Sequence, residues 1–270
     1  MHCIDDNILC IDVSMVCVTK VFELCPKRKW CLMFTKVIKH ELRNITRDRM
    51  YAFFVFYEIL LIALSLWLIP YLQDTSGDLA VQITFVVLIL MSGIVFGAIT
   101  GFTLLDDQDD GVLFSLKVTP INVNVYIFLK LLMSYIFSVI ATIILVIATG
   151  LLDMLPLIDI FFITLLSSFQ GPFIALVMNA FSSNKVEGFV IMKLTGLTII
   201  GPILALFLTD WTELLIGIFP GFWTARIMSI SMLPIDFFLG PSWIYFSLGL
   251  IINVISIYLI HRYFKFKHQL

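Results

Sequence analysis

Six long apolar stretches constrain this chain more than any other feature of its sequence. A helix needs about 20 apolar residues to cross a hydrocarbon core about 30 Å thick. Backbone that faces lipid must satisfy its own hydrogen bonds, which favours helices over strands. The sequence therefore predicts an all-α membrane protein with a bundle of six transmembrane helices, and the stretches cover residues 51–72, 79–105, 123–152, 156–181, 189–209 and 243–264.

Composition agrees with this fold class. Hydrophobic residues make up 60% of the 270-residue chain and charged residues only 13%. A water-soluble domain is nearer half apolar and a quarter charged, so the excess apolar surface is expected to face lipid. Residues 211–240 are apolar but interrupted by Pro and Gly. They predict short extracellular helices between spans five and six, interfacial or re-entrant, with a further span as the open alternative.

The distribution of basic residues predicts the orientation. Nine of the seventeen Lys and Arg residues precede the first span, and Arg262, Lys265 and Lys267 follow the last. With the N-terminus inside, every basic residue except Arg226 falls in or near a cytoplasmic segment. Cytoplasmic loops carry such an excess of Lys and Arg. We expect a multi-pass protein of the cell (plasma) membrane with both termini in the cytoplasm.

The N-terminal region divides into two parts. Residues 1–32 contain all five cysteines, without a metal-binding spacing, and are interpreted as an extension of doubtful function. The transmembrane domain is predicted to cover residues 33–270. It is expected to begin with a basic amphipathic helix over about residues 34–49, whose apolar face would lie in the cytoplasmic interface ahead of the first span.

The segment between spans two and three, residues 104–120, is acidic where a cytoplasmic loop usually carries lysine. Four aspartates precede Gly111, and a short helix is predicted after it. An exposed Leu113 and Phe114 on that helix would fit a groove in another protein. An ordinary interfacial turn is the alternative reading of the same residues.

This segment resembles the type-2 ABC exporter permeases, in which the second span ends in an acidic, Gly-containing loop followed by Pro, Tyr and Lys. The residues that carry the resemblance are Asp106, Asp107, Gly111, Leu113, Leu116, Pro120, Tyr126 and Lys130. A second match, Asn184, Lys185, Glu187 and Gly188, is similar to bacterial drug- or antibiotic-type permeases, and residues 218–223 match their outer loop. The acidic residue before the loop is Asp here, whereas Glu is common in the family. Either Asp106 or Asp107 could therefore correspond to the family's acidic position.

The resemblance implies a permease subunit of an ATP-driven exporter. Such a subunit works as a homodimer or heterodimer with a separate ABC ATPase, which would hold ATP and Mg. The resemblance assigns ATPase docking to Asp106, Asp107, Gly111, Leu113, Phe114, Leu116 and Pro120. The chain has no phosphate-loop motif, so we expect it to have no enzymatic activity of its own. We also expect that it has no cofactor, no metal and no nucleic acid partner. An ion-coupled secondary transporter and a non-transporting assembly protein are the competing classes.

Charged and small residues inside the spans give two further predictions. Glu58, Lys130 and Lys193 lie within apolar stretches, and an ionised group there is costly unless it is paired. We therefore expect Glu58 to pair with Lys130 or Lys193. Gly93, Gly97 and Gly101 place small residues on one face of span two, which predicts close helix packing within the subunit or at a dimer contact. Kinks are expected at residues 170–172 and 201–202.

Overall fold

The computed structural model describes residue 43 and residues 48–75, 77–117, 123–233 and 237–268. The chain divides into two units, Met1–Asp48 and Arg49–Leu270, and the helices below belong to the second. The predicted amphipathic helix before residue 48, the five cysteines and Pro120 lie outside the described residues. The side chains of Phe114 and Leu116 do so as well.

The described residues form α-helices joined by short connections, and no strand occurs among them. In chain order the helices are α1 (Arg49–Thr75), α2 (Asp78–Asp109), α3 (Val112–Lys117), α4 (Val123–Ala148), α5 (Leu151–Met154), α6 (Leu157–Ser168), α7 (Gln170–Phe181), α8 (Lys185–Thr195), α9 (Ile200–Ala205), α10 (Glu213–Ile216), α11 (Pro220–Met232) and α12 (Ser242–His268).

Six helical segments of the described chain are long and apolar enough to cross a membrane, which confirms the predicted six-span bundle. They are α1, α2, α4, the pair α6 and α7, the pair α8 and α9, and α12. The main difference lies in span two, which continues as a helix to Asp109 instead of ending near Leu105. The first acidic residues are therefore part of the span and not of a loop.

Span two is central, and its glycine stripe forms a close contact with α7. A Cβ placed on Gly97 would lie 2.6 Å from the carbonyl oxygen of Gly171 on α7. A Cβ on Gly93 or Gly101 would lie 2.8 Å from Gln170 or Met178 of the same helix. The stripe therefore packs α2 against α7 within one subunit, as one of the two predicted alternatives requires.

Spans four and five are interrupted close to the residues at which kinks are predicted. Span four breaks at Phe169, one residue before α7, and Pro172 lies in the first turn of that helix. In span five a 3-10 turn, Gly196–Ile199, separates α8 from α9. Pro202 follows this turn. Because proline has no backbone N–H to donate to the carbonyl oxygen four residues earlier, the α-helical hydrogen bonding is interrupted there.

Gly97 gives a direct test of the α2–α7 contact. We expect Gly97→Ala to destabilise the protein by about 1–3 kcal/mol, because the added methyl would overlap backbone that has no room to move. Gly196→Ala is the matched control, since a Cβ there meets nothing within 4 Å. Thermal unfolding in detergent measures both. A Gly97→Ala protein as stable as the control would contradict the intrasubunit packing.

The short helices between spans five and six are present, and α11 packs along span two inside the bundle. Near its start, a Cβ on Gly221 would lie 2.8 Å from Leu90, while at its end Ser229 accepts a 2.8 Å hydrogen bond from Gln82. Leu90 lies eight residues further along α2 than Gln82, or about 12 Å. The thirteen residues of α11 therefore run from the interior of the bundle to its end without crossing it.

A buried ion pair holds α11 in this position. The guanidinium of Arg226 lies 2.7 Å from a Glu213 carboxylate oxygen, and both side chains have no exposed surface. Arg226 also donates to the carbonyl oxygens of Ala205 and Leu208 at 2.8 and 2.7 Å. The Tyr245 hydroxyl of α12 donates to the other Glu213 oxygen. This network joins the end of span five, both short helices and span six.

Candidate functional site

The last turn of α2 holds three consecutive polar residues that bind four other parts of the bundle. We call Asp106, Asp107 and Gln108 the acidic junction. In a helix, consecutive side chains point about 100° apart, so three in a row reach three different neighbours. The acidic junction therefore sits where the helices that surround span two converge.

Asp106 joins the start of span one to the start of span five. One of its carboxylate oxygens accepts a hydrogen bond from the Tyr51 hydroxyl on α1. The other lies 2.6 Å from the ammonium of Lys185 on α8. The two motifs that carry the family resemblance thus meet in space, which their separation of about 80 residues did not predict.

Asp107 binds span three. Its carboxylate forms an ion pair with the Lys130 ammonium and accepts a 2.8 Å hydrogen bond from the Tyr126 hydroxyl. Lys130 also donates to the carbonyl oxygen of Thr103 at 3.3 Å. Both charged side chains are almost fully buried. The pairing of Lys130 with Glu58 is therefore wrong, because Asp107 lies at the same level of the bundle and supplies the counter-charge.

Gln108 completes the junction through span four. Its side-chain amide donates to the Asn179 side chain of α7 at 2.6 Å. Asn179 in turn donates to the carbonyl oxygen of Gly101 at 3.0 Å. Neither Gln108 nor Asn179 is predicted from the sequence to have a functional role. Their only sequence signal is a polar residue at the end of each apolar span, which is common in membrane helices.

The second motif positions α8 against the junction. The Asn184 side chain accepts a 2.9 Å hydrogen bond from the backbone of Glu187, whose carboxylate accepts a 2.8 Å bond from the backbone of Ser183. This reciprocal capping fixes the start of the helix. A Cβ on Gly188 would lie 2.7 Å from Leu105, so glycine lets α8 approach α2. These residues set the position from which Lys185 reaches Asp106.

The short helix α3 follows directly from the junction. Gly111 has φ +68°, a conformation that favours glycine, and it turns the chain from α2 into α3. The expectation that Leu113 is exposed is wrong, since its side chain is only 4% exposed. An apolar side chain at this turn is more stable when packed against the bundle. Asp109, Asp110 and Ser115 form the exposed surface beside it.

The other two intramembrane charges are not paired with each other. Lys193 is exposed near the end of α8, whereas Glu58 is buried on the inner face of α1. Neither oxygen of Glu58 has a hydrogen-bond partner among the described residues. The prediction that Glu58 faces the bundle interior is correct, but the predicted lysine partner is not there.

Comparison with known sequences identifies the family of this chain. A family model described as "Fluoroquinolones export permease protein Rv2686c-like" matches residues 41–261. The chain belongs to this family. Among its relatives are the fluoroquinolones export permease proteins Rv2686c and MT2760 of two Mycobacterium tuberculosis strains. Each is 27% identical over 182 residues, which cover 67% of this chain and 70% of the relative.

For a member of the Rv2686c-like permease family, the acidic junction is a meeting point of several spans. Ion pairs and hydrogen bonds tie the last turn of α2 to spans one, three, four and five. Helix α3 begins after only two further residues. The acidic junction therefore connects the start of α3 with the ends of these spans.

Proposed function

We propose that this permease is the membrane-spanning half of an ATP-driven ABC exporter, and that a separate ATPase subunit moves it through α3. The observation that carries the proposal is the placement of α3, a short helix with Ser115 exposed, which Gly111 joins to the acidic junction. ATP-driven closure of the ATPase would displace α3 and, through the junction, shift the surrounding spans. Two copies, or one copy and a second permease, would enclose the pathway.

We further propose that the acidic junction is cytoplasmic and that both termini lie on that side. Among the described residues, Lys185, Lys267, Lys265 and Arg262 are found at this end of the bundle, and Lys267 donates to the carbonyl oxygens of Ala180 and Ser182. At the other end, Arg226 is buried against Glu213. The excess of Lys and Arg marks the cytoplasmic face.

The exported molecule is proposed to be a drug-sized amphiphile. The relatives are named as exporters of fluoroquinolones, and the chain shares their family over most of its length. An ion-coupled secondary transporter is the second candidate, because Glu58, a buried carboxyl group with no hydrogen-bond partner in the described part of the chain, is the kind of group that carries a coupling proton. ATP dependence of export separates the two candidates.

Co-purification tests the docking role of α3. We expect a soluble ABC ATPase to co-purify with the tagged chain from its native cells, and Ser115→Trp to lower its yield at least tenfold. Ser115 is chosen because its side chain is exposed, whereas replacing the buried Leu113 would disturb the bundle itself. A large side chain at Ser115 would prevent a close fit in a cleft.

Thr209→Trp is the matched control, since Thr209 is exposed in the connection that follows α9, at the other end of the bundle. It should retain the ATPase. Equal ATPase yields from the Ser115 and Thr209 variants would contradict docking through α3. The absence of any ABC ATPase after mild extraction would contradict the proposed function as a whole.

A further inference from the structure

Glu58 is a buried acid that has no counter-ion among the residues that the structure describes. It lies nine residues after the start of α1, about 13 Å along the helix, and its side chain belongs to the inner face of span one. The residue is 5% exposed, and neither carboxylate oxygen has a partner among the described residues. The two lysines that were expected to pair with it are either bound to Asp107 or exposed.

The surroundings of Glu58 combine one hydroxyl with an aromatic surface. The Ser92 hydroxyl of α2 is its polar neighbour, but no hydrogen bond of ordinary geometry joins the two groups. Phe54 lies one turn away on the same face of α1 and stacks on Phe102 at 5.9 Å between ring centroids. A carboxylate beside aromatic rings and a free hydroxyl is a favourable site for an organic ammonium group.

Only one helix separates this acid from the apolar exterior. The outer face of α1 is exposed, with Phe53, Phe56 and Ile59 each about 60% accessible. Helix α1 packs mainly on α2 and makes a smaller contact with α4. A shift of α1 away from α2 would open Glu58 to an amphiphilic molecule dissolved in the membrane. Tyr51 at the start of α1 is bonded to Asp106, so this shift is linked to the acidic junction.

We propose that Glu58, with Ser92, is the recognition site for the protonated amine of the exported molecule. The inference rests on the proposed function, and it specifies the substrate as a cationic or zwitterionic amphiphile. The ammonium supplies a counter-charge that the described residues do not offer to Glu58, and it donates hydrogen bonds to Glu58 and Ser92. The apolar body of the ligand lies against the aromatic pair formed by Phe54 and Phe102.

The test compares two probes on the purified full-length chain in lipid nanodiscs. Norfloxacin carries a basic piperazine amine, and nalidixic acid is a related acid without one. We expect the wild type to bind norfloxacin at least tenfold more tightly than nalidixic acid. Glu58→Gln should remove this preference by weakening norfloxacin binding about tenfold and leaving nalidixic acid unchanged. Ser92→Ala should weaken norfloxacin binding by a smaller factor, about threefold.

Two further variants keep the result interpretable. Glu58→Asp retains the charge and should keep part of the preference for norfloxacin. Asp74→Asn removes an exposed carboxylate from the last turn of the same helix and should change neither affinity. A wild type that shows no preference, or a Glu58→Gln protein that loses both probes equally or neither, overturns the proposal.

This experiment is independent of the proposed ATPase. Binding to the isolated permease needs no ATP, so an amine preference that depends on Glu58 supports the recognition site on its own. If that preference is found but export proves independent of ATP, the ABC mechanism fails and the recognition site stands. If ATP-driven export is found without the preference, the recognition site fails alone.

Discussion

Arg226→Met should lower the stability of the folded protein by about 3–5 kcal/mol, because it leaves the fully buried carboxylate of Glu213 without its counter-charge. By the usual scaling for a domain of this size, the loss corresponds to a decrease in Tm of roughly 6–20 °C. The measurement is thermal unfolding of the detergent-solubilised protein, followed by size-exclusion chromatography.

The double variant Arg226→Met with Glu213→Gln separates loss of charge balance from loss of packing. It should recover more than half of the lost stability, because a neutral pair avoids a buried charge and Gln still accepts a hydrogen bond from Tyr245. Arg262→Met, at an exposed arginine of α12, should have little effect. A double variant as unstable as Arg226→Met alone would contradict the ion-pair account of how α11 is held.

Lys130→Met and Lys185→Met should differ severalfold in their effects, although each removes the lysine partner of an aspartate in the acidic junction. Lys130 has no exposed side-chain surface, so its loss leaves Asp107 buried and is expected to cost about 3–5 kcal/mol. Lys185 is 41% exposed, and solvent screening limits the expected cost to about 0.2–1 kcal/mol. Thermal unfolding of the two variants side by side gives the comparison.

Asp107→Asn removes the other charge of the buried pair, so that a double variant can test the role of charge balance. Combined with Lys130→Met it should restore much of the stability, because the remaining amide is neutral and can still accept the hydrogen bond from Tyr126. Equal losses for Lys130→Met and Lys185→Met would show that burial does not govern the junction.

The sequence predicts the architecture well because the membrane imposes a simple rule on length and hydropathy. All six spans, the short helices that follow span five, and the kinks near Pro172 and Pro202 can be read from apolar length and proline alone. The glycine stripe of span two is equally readable, since small residues at a four-residue spacing leave a surface that another helix can approach closely.

Partner choice among charged residues could not be predicted in the same way. The expected partner for Lys130 was Glu58, because both lie inside apolar stretches. The actual partner, Asp107, lies in a run of five consecutive polar residues, which in the sequence resembles a loop after the end of a span. The helix continues through Asp107 since Lys130 and Tyr126 neutralise and bind its carboxylate. Such a contact depends on the three-dimensional packing of spans two and three.

The Arg226 network was missed for a related reason. Arg226 is the basic residue that the predicted topology left on the outer side, and this exception was itself the available signal. A lone arginine among apolar residues is expected to need a buried acid. Glu213 lies thirteen residues away in an interrupted segment, however, and its position beside Arg226 depends on how α10 and α11 fold back on each other.

ATP-driven export is measured most directly as transport into inside-out membrane vesicles. The vesicles come from cells that produce this permease together with its native partners. We predict ATP-dependent uptake of norfloxacin that persists when an ionophore collapses the proton gradient. Vanadate should inhibit this uptake, and it should be absent from vesicles that lack this chain. Uptake driven by an imposed proton gradient without ATP, and abolished by the ionophore, would contradict the ABC mechanism and identify an ion-coupled transporter.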